Sequence, residues 1–240
     1  MDYKENSYSR YISTHTSHLY GVNSINKIEK NFIIWDKWFL DFIPRDKSSK
    51  IIDLGCGDGS FVHYLQRKGY TNVTGVDVSS EQVQFAQTLG ITGIVNSDIK
   101  VYLANNTGFD LIIARDLIEH FNINDLLSII ELTYSVLNTD GILLVQTSNG
   151  ESPFFGRYRY GDISHETSFT TTSLSQIFAL AGFKQMAFYP MAPTIRGLKS
   201  GVRYFLWKGI ENVIKLYLLI EGGTADGIFT QNLIAVATKQ

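Results

Sequence analysis

The stretch IIDLGCGDGS, residues 51–60, decides the fold of this chain. A hydrophobic run carrying one acid, Asp53, ends in three glycines, Gly55, Gly57 and Gly59. The run reads as a buried strand. SFVHYLQRKG behind it (60–69) reads as a helix, with Phe61 and Leu65 inward and Gly69 as its stop. Glycines at such a corner admit left-handed dihedrals and let a ligand lie against bare backbone. In an open parallel sheet, that corner borders the crevice where ligands bind.

The same rhythm continues downstream. NVTGVDV (72–78) is a second strand, and SSEQVQFAQTLG (79–90) a helix capped by Ser79 or Ser80. TGIVNSDI (92–99) gives a short third strand. FDLIIARD (109–116) gives a fourth, apolar enough to be buried on both faces. INDLLSIIELTYSVLN (123–138) is a helix with Leu127, Ile130 and Tyr134 along one side, and GILLVQTSN (141–149) is a fifth strand. Strand–helix alternation predicts an α/β fold with a parallel sheet and right-handed crossovers.

The flanks differ in texture. IEKNFIIWDKWFLDFI (28–43) is helix-like, with Ile28, Phe32, Trp35, Phe39 and Phe42 at spacings of three and four. After residue 150 comes a long aromatic and polar connection, then a helix (173–182) and a strand (183–190). A long amphipathic helix (199–223) and a closing strand (227–239) follow. Val202, Leu206, Ile210, Val213, Tyr217 and Ile220 form one stripe of that long helix. Packing on its own domain is the first expectation for the stripe, then a dimer contact, then a membrane surface.

Bulk composition bounds the partners. The 240 residues, 44% hydrophobic, suit one domain. We divide it into an N-terminal helical lid (1–45), a ligand-binding core (46–150) and an acceptor-side region (151–240). A net charge of −2 offers no basic field for nucleic acid. The single cysteine, Cys56, excludes an intrachain disulfide and suits a reducing cytoplasm. The N-terminus has no apolar signal region, and no run approaches the roughly 20 apolar residues that span a bilayer.

The glycine spacing narrows the ligand. A dinucleotide fingerprint from Gly55 would need its third glycine where Ser60 stands, and a phosphate-cradling Gly-Lys-Ser/Thr ending is missing. Asp53 just before the glycines suits a cationic ligand better than a pyrophosphate. IDLGCGDGSF resembles motif I of the class I S-adenosylmethionine-dependent methyltransferases, across a region of residues 50–150. The resemblance implies a Rossmann-like, mostly parallel seven-stranded sheet whose last strand is antiparallel. It implies S-adenosylmethionine as methyl donor and S-adenosylhomocysteine as product. In GVDVS, Asp77, followed by Val78, matches the family acid that receives both ribose hydroxyls, and a carboxylate can accept two hydrogen bonds from a vicinal diol. NSDI resembles the adenine site, with Asp98 facing the exocyclic amine and Ile99 against the ring. FDLIIARDLIEHF resembles motif IV and its following turn, which places Ala114 and Arg115 at the methionine moiety. Cys56 reads as a small packing residue more readily than as a reactive thiol.

The sulfonium methyl is already activated, so alignment of the acceptor supplies much of the acceleration. A hydroxyl acceptor must also lose a proton, and histidine suits that task. His165 in GDISHETSFT, flanked by Asp162 and Glu166, is the first candidate base, with a structural loop histidine as its alternative. His15, His18 and His120 are the further candidates; DLIEH resembles a sequence common in the superfamily, which implies for His120 a structural cap or a wall of the donor pocket as the alternative. The residue types of Glu119, His120, His165 and Glu166 permit a metal, but they form two pairs distant in sequence, and none is expected.

PFFGRYRYGD (153–162) offers Arg157, Tyr158, Arg159 and Tyr160, which suit stacking on sugars and binding of phosphate or carboxylate. A surface loop with some packed aromatics is the even alternative. YSRYISTH, DISHETSFTTTSLSQIFALAGF and GIFTQNLIAVATK together resemble methyltransferases of bacterial capsule and O-antigen synthesis. That resemblance implies O-methylation of a sugar hydroxyl on a nucleotide-linked or lipid-linked precursor, with His15 and Tyr11 closing the acceptor pocket. It implies a cytoplasmic enzyme, peripheral at the inner membrane if the acceptor is lipid-linked, and leaves a homodimer open. DLIEHF also resembles small-molecule O-methyltransferases acting on quinones or phenols. A non-catalytic module that senses the donor is the reading from outside the enzymes.

Overall fold

β-Branched and leucine-rich runs punctuated by glycine form the strands, and the computed structural model describes residues 23–240. The chain order is α1 (Ile25–Glu29), α2 (Phe32–Phe39), β1 (Ile51–Leu54), α3 (Ser60–Arg67), β2 (Val73–Asp77), α4 (Ser80–Thr88) and β3 (Ile94–Asn96). It continues with α5 (Ile99–Ala104), β4 (Phe109–Arg115), α6 (Ile123–Val136), β5 (Leu137–Ser148) and α7 (Phe155–Arg159). The last elements are α8 (Thr171–Leu180), β6 (Gln185–Pro190), α9 (Leu198–Gly222) and β7 (Asn232–Thr238).

Seven strands make one sheet in the order β3-β2-β1-β4-β5-β7-β6. β1 pairs in parallel with both β2 and β4, so the chain runs outward to β3 and then returns to β1's other side. That reversal opens a crevice at the carboxyl ends of β1 and β4. β7 is antiparallel to β5 and β6. The parallel sheet with an antiparallel last strand is the architecture anticipated from the sequence.

Alternation along each strand sends side chains to two cores. Ile52, Leu54, Ile112 and Leu143 face α6 and α8. Ile51, Ile113 and Leu144 face α2 and α3, where Trp35, Phe39, Phe61 and Tyr64 pack edge to face. Each fully buried side chain of this size contributes about 1.5–3 kcal/mol of transfer free energy, which fixes α3 against the sheet and hence the glycine corner at its start.

Four local expectations are revised. The helix expected over 28–43 is two, α1 and α2, followed by a 3₁₀ turn at Leu40–Phe42. Ser24 caps α1 through a bond from the Lys27 amide, and the break at Lys30–Asn31 lets Ile28, Trp35 and Phe39 all reach one core. α5 was not anticipated, although Asp98 caps it by accepting the Val101 amide at 3.1 Å. In α6 the buried face is Leu126, Ile129, Ile130, Thr133 and Val136, while Leu127 and Tyr134 are only partly buried. The stripe of α9 does not pack on the domain: no α9 residue is buried, and Leu206, Val213 and Ile220 are 65%, 68% and 77% exposed.

Candidate functional site

The corner at the end of β1 is built by left-handed backbone. Gly55, Gly57 and Gly59 take φ of +64°, +56° and +72°. A Cβ on Gly55 would sit 2.6 Å from Leu117 Cδ1, and one on Gly59 2.9 Å from Ile94 Cδ1, so both glycines are fixed by space as well as dihedral. Gly57 faces open space apart from the Gln82 amide, 3.8 Å from where its Cβ would be. Gly55 and Gly57 line a cleft of about 370 Å³ with Asp77, Val78, Asp98, Ile99 and His120.

Asp77 closes β2 at the cleft wall. Its Oδ2 accepts the Gly57 N–H and its Oδ1 the Ser79 N–H, each at 2.8 Å. Each oxygen keeps a further lone pair, so the carboxylate can accept two more donors side by side. Burial pushes its pKa up, against the pull of those two backbone bonds. Asp98 stands exposed at the rim, and Ile99 supplies an apolar wall beneath it. A bare glycine floor, a bidentate acceptor and an apolar slot fit the amino-acid, ribose and base parts of a sulfonium nucleoside.

Asp53, Cys56, Ala114 and Arg115, assigned to the donor by resemblance, are not among the residues lining the cleft. Asp53 is 2% exposed, and Cys56 and Ala114 are buried. Burial raises the Asp53 carboxyl to about 7; nearby Arg115 opposes the rise, while Asp77 and Asp58 add to it. Burial also pushes the Cys56 thiol up, which favours its packing role. The Arg115 guanidinium lies over the rings of Trp35, Phe39 and Phe61, 4.4 Å from the Phe61 centroid, and its Nε has no hydrogen-bond partner among the described residues. Asp116, Leu117, Phe121, Gln82 and Ile129 line the cleft without having been foreseen. Asp116 has φ +49° and both its oxygens accept from Gln146 Nε2, at 2.8 and 2.7 Å. Only the ARD-to-LIEH junction after a buried strand hints at that turn.

The segment after β5 brings the two histidines together. Backbone N–H groups of Glu166 and Thr167 donate to the Glu119 carbonyl at 2.8 and 3.2 Å. The ring centroids of His120 and His165 lie 4.7 Å apart at 68°. The acid expected to orient His165 orients His120 instead. Asp162 Oδ1 accepts the Ser164 hydroxyl at 2.5 Å, and Ser164 Oγ lies 3.0 Å from His120 Nδ1. With the hydroxyl proton directed to Asp162, His120 Nδ1 is the donor. His165 Nδ1 lies 2.9 Å from the Tyr158 carbonyl, which only accepts, so it also carries its proton. In each neutral ring Nε2 is then the basic atom. His165 is within electrostatic reach of Asp116 on the cleft wall.

Beneath the pair, Glu119 is buried and its carboxyl is raised to about 8, by burial first and by Asp116 second; Thr147 Oγ1 donates to it at 2.9 Å. Arg159 is engaged by the loop itself, donating to the carbonyls of His165 and, at 2.6 Å, Glu166. Arg157 and Tyr160 are exposed, and Tyr158 is half-buried. Among the described residues no group of three or more His, Cys, Asp or Glu is placed to hold a metal. Tyr11, His15 and His18 lie outside the described residues.

A protein-family model described as a methyltransferase domain matches residues 29–187. The chain belongs to that family. Its fold is that of the class I S-adenosylmethionine-dependent methyltransferases. An S-adenosylmethionine-dependent methyltransferase from Archaeoglobus fulgidus superposes with a TM-score of 0.66 at 19% identity, covering 88% of this chain and 94% of that one. Haemonchus contortus phosphoethanolamine N-methyltransferase 2, solved with S-adenosyl-L-methionine, gives 0.61 at 17% identity over 97% of this chain and 60% of that one. By sequence, the chain is 28% identical over 163 residues to the putative methyltransferase YqeM of Bacillus subtilis, covering 65% of each. It is 31% identical over 124 residues to a ubiquinone biosynthesis O-methyltransferase of Actinobacillus pleuropneumoniae, covering 46% of this chain and 52% of that protein. The chain thus spans from about half to just under two thirds of these curated relatives.

Proposed function

We propose that this methyltransferase moves the methyl group of S-adenosylmethionine to a sugar hydroxyl on a nucleotide-linked or lipid-linked glycan precursor. The donor lies on the glycine corner, its ribose held by Asp77 and its adenine between Asp98, Ile99 and Val78. Bound there, it supplies a sulfonium methyl open to attack. The chain's own residues orient the acceptor and take its proton at His165 Nε2, with His120 as the neighbouring imidazole. The observation that carries an oxygen acceptor is the His120–His165 pair, with both Nδ1 atoms committed as donors.

An anionic handle on the acceptor is supported by a second groove, of about 640 Å³, at the same carboxyl edge of the sheet. Trp38, Trp207, Arg196 and Arg203 line it, and the buried Trp207 Nε1 has no hydrogen-bond partner among the described residues. Indole faces stack on sugars or bases, and arginine forks bind phosphate. In this reading the enzyme works in the cytoplasm, at the inner membrane when its acceptor is lipid-linked. A quinone or phenol hydroxyl is the second reading, favoured by the match to ubiquinone biosynthesis O-methyltransferases.

The test is transfer of labelled methyl from S-adenosylmethionine to a panel of nucleotide sugars, catechols and phosphoethanolamine. Label in a nucleotide sugar, lost in His165→Ala with donor binding intact, supports the first reading. Label confined to catechols or to phosphoethanolamine overturns it.

A further inference from the structure

Three charged residues of α9 form a half-buried cluster on one side, where Glu211 pairs with Lys208 at 2.7 Å and Lys215 at 3.5 Å. Tyr204, Trp207, Ile214 and Leu218 are half-buried on the same side, and the remaining large apolar residues point away. Leu198, Phe205, Leu206, Val213, Leu216 and Ile220 are all at least 56% exposed. With Val202, Ile210, Tyr217 and Leu219, at about 100° per residue, the exposed apolar side chains cover roughly 180° of the helix circumference along about 37 Å of axis. A soluble helix keeps such a face for its core.

We infer that the outer face of α9 docks on an anionic lipid surface. Two observations choose lipid over a second copy of the chain. The apolar arc is broader than the stripe one partner helix covers, whereas a helix lying in a bilayer interface sinks about half its girth. The charge is also complementary. Arg196, Lys199 and Arg203 are exposed at the helix's start, with no ion pair described for any of them. From residue 195 to 222 the exposed charges are these three cations and the single acid Glu221, in a chain of net charge −2. Each such cation near an anionic leaflet adds to binding. Among the described residues no helix is long and apolar enough to cross a membrane, so α9 lies on the surface. Arg196, Arg203, Leu206 and Ile210 also line the second groove, which would open at headgroup level. The docking stands on α9 alone and does not depend on the acceptor's identity.

The test is flotation of the full chain with vesicles of phosphatidylglycerol and phosphatidylcholine in equal parts, and with phosphatidylcholine alone. The expected result is binding to the anionic vesicles that weakens with salt and is at least about tenfold weaker on neutral ones. Phe205→Glu with Leu216→Glu should abolish flotation while S-adenosylhomocysteine binding, followed by calorimetry, stays unchanged. Arg196→Glu with Lys199→Glu should remove the preference for anionic lipid. No flotation of the wild type, or equal flotation of the Phe205/Leu216 variant, overturns the inference. So does light scattering that finds a lipid-indifferent dimer which the Phe205/Leu216 variant splits; the face then belongs to a second copy.

Discussion

Asp53→Asn removes a charge that folding penalises, and the penalty leaves a measurable slope. In the folded chain the Asp53 carboxyl titrates near 7, against an ordinary value of 3.8. Between those values the folded state holds a proton that the unfolded state has released. Stability conferred by that proton is complete below the ordinary value and is lost as pH rises through the folded one. One proton amounts to about 1.4 kcal/mol per pH unit, on the order of 4 kcal/mol across the window. Glu119, raised from 4.5 to about 8, adds a second proton of the same sign. Asp77 and Asp116, also raised by burial, contribute to both proteins alike, so denaturant titrations of the donor-free protein between about pH 5 and 6.5 should show a slope about one proton steeper for the wild type than for the variant. Donor binding should couple to the same site if the donor's ammonium approaches Asp53. The wild type would then release a proton on binding near pH 6 and bind more weakly as pH falls, and the variant would do neither. Equal slopes in the two proteins would refute the buried-carboxyl reasoning, and binding heats independent of buffer at that pH would place the ammonium elsewhere.

Three further outcomes are expected. His165→Ala should lower kcat by about 10²–10⁴-fold with donor affinity unchanged, and rate near wild type in single-turnover assays would remove His165 as the base. Gly75→Ala should cost about 1–3 kcal/mol in chemical denaturation, because its Cβ would meet Cys56 Sγ at 2.7 Å and Ile94 Cδ1 at 2.8 Å; an unchanged midpoint would contradict the packing described at that corner. Cys56→Ala should leave turnover within a few fold, since its thiol is buried and held protonated, and loss of activity with retained fold would assign the sulfur a chemical role.

The parts of the fold written in short-range pattern were legible. Glycine triplet, acid-tipped second strand and a fourth strand apolar on both faces place β1, β2 and β4, and with them the cleft. What was illegible depended on contacts distant in sequence. Asp162 lies three residues from His165, yet its partner Ser164 reaches His120 across 44 residues. Arg115 reads as a cleft residue by its place after β4, but three aromatic rings from α2 and α3 claim its guanidinium. α9 has a clear stripe, and periodicity says only that one face is apolar. Whether that face meets the domain is a tertiary fact, and here it does not.

Calorimetric titration of S-adenosylhomocysteine into the wild type and Asp77→Ala tests the donor site most directly. The wild type should bind one equivalent. Removing two charge-assisted bonds of about 1.5–3 kcal/mol each should weaken the variant by about 10²-fold or more, with its unfolding still cooperative. Equal affinity in the two proteins, or no heat from the well-folded wild type, would contradict the placement of the donor on the glycine corner.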